Sequence, residues 1–360
     1  MSSEDRTQKR IADLERSVVD PANEVALIEL ARAYIDGGRH AAAAAKLDDR
    51  LSESVSTLGL LELALEAHQR GGTVERILDW FERDEAQLAD EAAFWTLRGR
   101  AHELVGQLDE ARTCHERSVV LDPESAEGYF RLGVTQMRLA AEKDAIHAFE
   151  RSIELDPDLL KAYINLGLLH EQTGNSRKAI ESFRKAISID PRSVESRLNL
   201  GAAYGDLGMQ KEAVSEFQAA IEIDPSSVLA HFNLGVSLIE DSPEEAYIAL
   251  RRALTLEPGH WEANYHLGLL GFKRGQYDAA IRSFQQCLDS RPDSVRALYH
   301  LGLAYNKKDQ PGRAIECLSR VCELDPTNSR AHFYLGVAHD KKGQYDKARL
   351  CYQAADRLKK

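Results

Sequence analysis

The chain has 360 residues, with 58 acidic against 46 basic side chains and a formal charge of −12. That balance argues against general nucleic-acid binding, which is dominated by phosphate neutralisation. No apolar run is long enough to span a membrane, and the opening Met1-Ser-Ser-Glu-Asp-Arg lacks a signal-peptide core. Cys114, Cys287, Cys317, Cys322 and Cys351 are odd in number, widely spaced and free of any C-x-x-C pair. We therefore expect a cytoplasmic protein with reduced thiols and no membrane insertion.

In chain order, residues 6–19 (Arg6 to Val19) read as a lone helix ahead of Pro21, a capping element within residues 1–23. From there a period takes over. Pro123, Pro157, Pro191, Pro225, Pro258, Pro292 and Pro326 are separated by 34, 34, 34, 33, 34 and 34 residues, and the same step run backward from Pro123 reaches Pro21. A fixed period near ~34 residues marks stacked repeats that bury their apolar faces only against neighbours. Gly38, Gly72 and Gly106 share one place in this period. Residues 24–91 are thus two divergent units, Glu24–Thr57 and Leu58–Glu91, and eight clear units fill residues 92–360. Leu65 stands where the later units have glycine, which makes the second unit the least regular; a bend there and plain poorer packing both fit. The expectation is one continuous all-α solenoid.

The unit from Leu160 to Ser193 shows the internal pattern. Tyr163, Leu166, Gly167 and His170 follow the i, i+3, i+4, i+7 spacing of an amphipathic helix A. Gly174 turns the chain. Ala179, Ile180, Phe183 and Ala186 mark helix B, which must stop ahead of Pro191 because the residue before proline is pushed out of the helical region. Gly133, Gly167, Gly201, Gly235, Gly268, Gly302 and Gly336 occupy the eighth place of successive units. Glycine inside a helix costs roughly 1 kcal/mol relative to alanine, so its recurrence implies close approach of helix B. Ala145, Ala179, Ala213, Ala246, Ala280, Ala314 and Ala348 recur at place twenty, and Phe149, Phe183, Phe217, Leu250, Phe284, Leu318 and Tyr352 at place twenty-four.

This pattern resembles the tetratricopeptide repeat: a bulky residue at four, Leu-Gly at seven and eight, Tyr at eleven, Gly at fifteen, Ala at twenty, an aromatic at twenty-four and Pro at thirty-two. The matches run in phase over Ala92 to Lys360. The resemblance implies a right-handed superhelical solenoid of about ten helix-turn-helix repeats, similar to the repeat array of O-linked N-acetylglucosamine transferase. The pentatricopeptide repeat, with a longer period and a basic surface, fits worse.

Two departures stand out. The unit from Val228 is one residue short, and Ser242, Pro243 and Glu245 read as N-cap, N1 and N3 of a self-sufficient helix start that absorbs the deletion. The last unit ends at Lys360 inside helix B without a further polar helix, which leaves self-association through that repeat as an expectation.

The sequence carries no P-loop, dinucleotide-binding glycine motif, H-E-x-x-H or nucleophile elbow, and no cofactor or metal site is expected. Cys114-His115 pairs a nucleophile with a base, but His115 falls at place twenty-four, where the other units have a packing ring. His170 and His339 fall at place eleven and read as core-edge residues. The expectation is a non-enzymatic chain.

The resemblance also implies that places two, five, six, nine, twelve and thirteen of the A helices line a concave face. Place six reads Asn165, Asn199 and Asn233, then His266, His300 and Tyr334. A carboxamide offers both a donor and an acceptor, so such a ladder can hold the backbone of an extended peptide, similar to the asparagine ladder of the transferase; Asn as a mere family preference at this place is the other reading. Place five holds Phe232, Tyr265, Tyr299 and Phe333; place thirteen holds Lys273, Lys307 and Lys341; place two adds Arg296 and Arg330. Aromatics framed by cations favour a ligand with apolar anchors and acidic groups, although lysines at helix ends are also favoured by the helix dipole. Place nine never holds the Asn that a carboxylate clamp for chaperone tails requires. Charge is unevenly spread: residues 1–159 hold 19 basic and 33 acidic side chains whereas residues 160–360 hold 27 and 25. The acidic half further argues against general nucleic-acid binding, with ordinary solvated helix surface as the other reading. We expect a scaffold or adaptor that binds acidic or extended peptide segments of other proteins. Its rivals are a self-assembling structural protein and the regulatory subunit of an enzyme complex.

Overall fold

The acid ahead of most repeat prolines does local work. In the computed structural model, Asp122, Asp156, Asp190, Asp224 and Asp325 each accept a hydrogen bond from the backbone N–H two residues on, at 2.9–3.2 Å. In four units this turn delivers Ser125, Ser193, Ser227 or Asn328 to cap the next helix through its side-chain oxygen, and Ser294 caps in the same way after Arg291. His260 substitutes in one unit, its ring nitrogen accepting from the Ala263 N–H.

The structure describes residues 3–17, 24–53 and 56–358, all of it helix and connecting turn with no strand. Pro21 and Lys360 lie outside the described residues. A first helix, α1 (Ser3–Ser17), is followed by ten A/B pairs: α2 (Glu24–Asp36) with α3 (His40–Glu53), α4 (Leu58–Gly71) with α5 (Glu75–Leu88), α6 (Ala92–Val105) with α7 (Leu108–Leu121), and α8 (Ala126–Arg138) with α9 (Glu142–Leu155). Next come α10 (Leu160–Gln172) and α11 (Ser176–Ile189), then α12 (Val194–Asp206) with α13 (Gln210–Ile223) and α14 (Val228–Ser237) with α15 (Pro243–Leu256). The last are α16 (Trp261–Lys273) with α17 (Tyr277–Ser290), α18 (Val295–Lys307) with α19 (Pro311–Leu324), and α20 (Ser329–Lys341) with α21 (Tyr345–Arg357). Residues 1–178 and 179–360 form two compact units. Within each, most helices pack on their sequence neighbours and several A helices touch the next A helix, the connectivity of a tetratricopeptide solenoid.

The eighth-place glycines have the steric cause that their recurrence implied. A Cβ on Gly133, Gly201, Gly268 or Gly336 would come within 2.4–2.8 Å of the ring of Phe149, Phe217, Phe284 or Tyr352, and on Gly235 or Gly302 within 2.7 Å of Leu250 or Leu318. Place fifteen needs a left-handed backbone, which Gly38, Gly106, Gly174, Gly208, Gly275 and Gly343 adopt. Ala140 and Asp309 adopt it too, at φ 56° and 55°, because the turn geometry overrides their own preference.

The first unit departs from this plan. In the second repeat Leu65 fills the eighth place and is wholly buried, and α4 and α5 meet over less of their length than the other pairs. Polar hubs compensate. Asp48 on α3 accepts from His68 Nε2 on α4 at 2.9 Å and Trp80 Nε1 on α5 at 3.3 Å. Asp84, almost wholly buried, accepts from Arg83 and from the Ser56 N–H, while Arg83 also reaches the Leu51 carbonyl. Burial alone would raise the Asp84 carboxyl, but these hydrogen bonds outweigh it and hold it below the usual aspartate range. Ile11 of α1 is buried against this core, and Tyr34 donates to Glu15.

One sequence expectation is corrected. α15 does start at Pro243 after Ser242, but the Ser242 side chain makes no capping hydrogen bond. The missing residue is instead absorbed by α14, which runs for 10 residues where the neighbouring A helices α12 and α16 run for 13.

Gly201→Leu should destabilise the chain by about 1–3 kcal/mol through overpacking against buried Phe217, despite leucine's better helix propensity. A neutral denaturant midpoint would show that Phe217 yields without cost. Conversely, Ala140→Gly should raise stability by about 0.5–1 kcal/mol, because relief of left-handed strain exceeds the added chain entropy of glycine. An unchanged or lower midpoint would mean that the turn carries no strain.

Candidate functional site

On α14, α16, α18 and α20 the ring at place five of one repeat meets the ring at place six of the next. Phe232 lies 5.9 Å from His266, Tyr265 lies 5.8 Å from His300, and Tyr299 lies 6.1 Å from Tyr334. Within a repeat the two rings touch edge to face: Tyr265 with His266, Tyr299 with His300 and Phe333 with Tyr334, at 5.2–5.4 Å. The result is a continuous aromatic stripe from Phe232 to Phe333 across four helices. Edge-to-face contacts of this kind are worth about 0.5–1.5 kcal/mol beyond area burial, so the stripe is held in place before any ligand arrives.

The structure brings cations to the stripe, but only some of those anticipated. Arg296 lies near enough to Tyr265 and His266, and Arg330 to Tyr299, for their charges to act on those rings. Both arginines are exposed and make no side-chain ion pair among the described residues. Lys307 is likewise exposed without a partner among the described residues. Lys273 and Lys341, in contrast, reach back to the preceding repeat, to Glu240 at 2.6 Å and to Asp309 at 3.0 Å. Lys341 also donates to the Asn306 carbonyl at 2.7 Å. These are straps between repeats; such solvent-exposed pairs contribute about 0–1 kcal/mol each.

Sequence reasoning missed Trp261, Arg291 and Asp293. With Phe232, Tyr265, His266, Glu262 and Arg296 they line a cleft of about 410 Å³ at the start of α16 and α18. The Arg291 guanidinium stands 4.5 Å over the Trp261 ring, a cation–π contact. Arg291 and Asp293 flank the repeat proline Pro292, outside the helical places that the pattern singled out; an aromatic Trp at the first place of its unit was the available signal.

The asparagines are divided. Asn165 belongs to the first unit and turns its carboxamide onto its own helix, donating to the Lys161 carbonyl at 2.8 Å. Asn199 and Asn233 belong to the second unit, are half-buried, and make no side-chain hydrogen bond among the described residues.

The Cys114-His115 pair has the geometry of packing. His115 is fully buried, covers Gly99 in place of the usual ring, and donates from Nε2 to Glu103 Oε1 at 3.2 Å. Burial pushes the Cys114 thiol up to about 11, so it is not a thiolate at neutral pH. All five cysteines are free. No cluster of metal-ligating side chains occurs among the described residues, and no described helix is long and apolar enough to cross a membrane.

Burial lowers His266 and His300 below the ordinary histidine value, and the Arg296 charge adds to the effect at His266; at His300 the hydrogen bond to the Arg296 carbonyl partly opposes it. Both rings are therefore neutral at pH 7. Their contribution to stability is full above the unfolded value of ~6.5 and is lost as pH falls through the lowered native values. NMR titration should place both midpoints below ~6.5, and Arg296→Gln should raise that of His266 while leaving His300 nearly unchanged. Equal movement of both would contradict the assignment of the Arg296 charge to His266.

The comparisons with known proteins agree on the architecture. Tetratricopeptide repeat profiles match residues 39–165, 160–193, 194–227, 240–286, 272–329 and 317–350. No protein of curated function matches the sequence. Among solved structures, Pseudomonas aeruginosa pilF is 19% identical over 57% of this chain and 93% of its own, with a TM-score of 0.51. A tetratricopeptide repeat protein from Parabacteroides merdae is 16% identical over 65% and 93%, also at 0.51. YrrB, described as a tetratricopeptide protein with an unusual peptide-binding site, is 25% identical over 55% and 99%, at 0.45. The tetratricopeptide fold serves in general as a non-catalytic protein-interaction scaffold, and with these profiles and the paired-helix architecture in agreement, the chain belongs to the tetratricopeptide repeat family.

Proposed function

We propose that the chain is a cytoplasmic adaptor whose A-helix face from α14 to α20 binds a peptide segment of a partner protein bearing apolar anchors and acidic groups. The aromatic stripe from Phe232 to Phe333 carries this reading, because four consecutive repeats present pre-packed rings on one face beside the unpaired Arg296, Arg330 and Lys307. Rigid aromatics lose little conformational entropy on binding and dominate interface energetics. The arginines can pair with carboxylates in two parallel bonds. Lys273 and Lys341 join in only by exchanging their intramolecular acids for those of the ligand, which makes them secondary. Asn199 and Asn233 extend the same face with free carboxamides suited to the backbone of an extended segment.

Affinity co-purification with mass spectrometry, followed by tiling of the captured protein as synthetic peptides, identifies the segment. Tyr265→Ala combined with Tyr299→Ala should weaken it by at least tenfold, chiefly through faster dissociation. Arg296→Glu combined with Arg330→Glu should slow association and flatten its salt dependence. Asn199→Ala with Asn233→Ala should have a smaller effect. Loss of binding in the asparagine variant with retention in the aromatic one would place the peptide backbone on the asparagine repeats and overturn this assignment.

A further inference from the structure

Place eleven of each A helix points away from the aromatic stripe. At about 100° per residue, places four, seven and eleven lie on the side of the helix opposite places two, five, six and nine. In two repeats of the second unit this place is a tyrosine that closes the gap toward the preceding B helix. Tyr204 accepts from Arg184 of α11 at 2.6 Å, and Tyr305 accepts from Gln285 of α17 at 3.1 Å. Both donors stand at place twenty-five of their units.

The two repeats between them break the pattern. Place eleven is Leu238 in one and Gly271 in the next, and the donors at place twenty-five, Gln218 and Arg251, remain exposed with no phenol to meet and no side-chain hydrogen bond among the described residues. A cleft opens at each position. The first, about 510 Å³ between α13 and α15, has apolar walls from Ile221, Leu234, Leu238 and Ile248, with Glu222, Glu245 and Arg252 also in its lining. The second, about 170 Å³ between α15 and α17, is lined by Arg251, Arg274 and Arg282 without a carboxylate among its lining residues. Arg274 alone is paired, with Glu244 at 2.9 Å. The helix between the clefts presents Tyr247 and Ile248, 45% and 67% exposed.

We propose that these two clefts form a second docking surface, distinct from the aromatic stripe, for an acidic-apolar peptide segment of a partner protein. An apolar side chain enters the cleft over Leu238, and carboxylates a few residues along meet Arg251 and Arg282. The clefts are separated by one helix, ~10 Å across, which about three residues of extended chain span. Charge complementarity selects the occupant. Arg251 and Arg282 stand without an acid partner among the described residues at one end, and at the other the apolar wall has Glu222 and Glu245 beside it, so the carboxylates of the segment face the arginine end. This surface is independent of the proposed role of the stripe, since it lies on the other side of the same helices.

The full chain is panned against a phage-displayed library of random 12-residue peptides, and enriched sequences are synthesised and measured by fluorescence anisotropy. We expect enriched peptides with a large apolar residue about three positions from paired Asp or Glu. Leu238→Tyr, which restores the ring present at Tyr204 and Tyr305, and separately Ile248→Glu, at an exposed position, should each weaken them at least tenfold. Arg251→Glu with Arg282→Glu should do the same, whereas Tyr265→Ala with Tyr299→Ala should leave them within twofold. Thermal melts by circular dichroism establish that each variant is folded, and Ile248→Glu keeps the test open if Leu238→Tyr is not. The proposal is overturned if no peptide of this composition is enriched, or if enriched peptides ignore the cleft variants or depend on the stripe. It is also overturned if light scattering shows a dimer that Ile248→Glu dissolves, which would make the occupant a second copy of this chain.

Discussion

The press of one ring on one glycine organises this protein. In repeat after repeat the side chain at place twenty-four lies where the Cβ of place eight would be, so helix B sits against the backbone of helix A. The contact is close-packed, and interiors of that density do not accept an extra carbon without strain. Because it consumes the B-facing side of each A helix, the other sides must find different uses. Place five and six rings pack sideways onto the next repeat, and place eleven faces the preceding B helix. The register of one small residue thus decides which side chains are left to meet other molecules.

That contact also shows what its absence does. At the second repeat Leu65 takes the glycine's place, and the two helices separate along part of their length. Asp48 and Asp84 then gather donors from two helices and from a turn. Such buried polar hubs work only when fully satisfied, and removing one partner would leave a desolvated charge at a cost of a few kcal/mol. His115 over Gly99 is an intermediate case, an imidazole that keeps the packing and adds a bond to Glu103.

Much of the architecture was legible because the repeat writes it many times over. The period, the helix pairs, the Gly201–Phe217 type of contact and the packing role of His115 all follow from side-chain size at fixed places. What escaped reading depends on single residues. The shortened α14 was missed because a capping sequence at Ser242 looked sufficient, whereas the Ser242 side chain makes no cap bond and the helix ends at Ser237. The straps of Lys273 and Lys341 were missed because their acids, Glu240 and Asp309, lie in a neighbouring turn whose path a linear pattern does not give. Trp261 and Arg291 were missed for the same reason: they meet only once two repeats are stacked.

The same logic separates the two faces of the A helices. A helix in a solenoid cannot vary its B-facing side without unstacking, but places five, six and eleven touch only through side chains that tolerate exchange. At places five and six the exchange adds bulk: rings that bridge repeats and hold one another still. At place eleven it removes bulk, Leu238 and Gly271 standing where Tyr204 and Tyr305 stand in the flanking repeats, and Gln218 and Arg251, at the place of the donors that serve those phenols, are left facing solvent. Addition builds a firm apolar stripe; subtraction opens hollows beside unmatched cations. Both changes fall on α14 and α16, so these two helices carry the largest departures from the repeat while keeping Gly235 and Gly268 against Leu250 and Phe284. Stability is thus secured on the one side that does not change, and the remaining sides are free to diverge toward recognition.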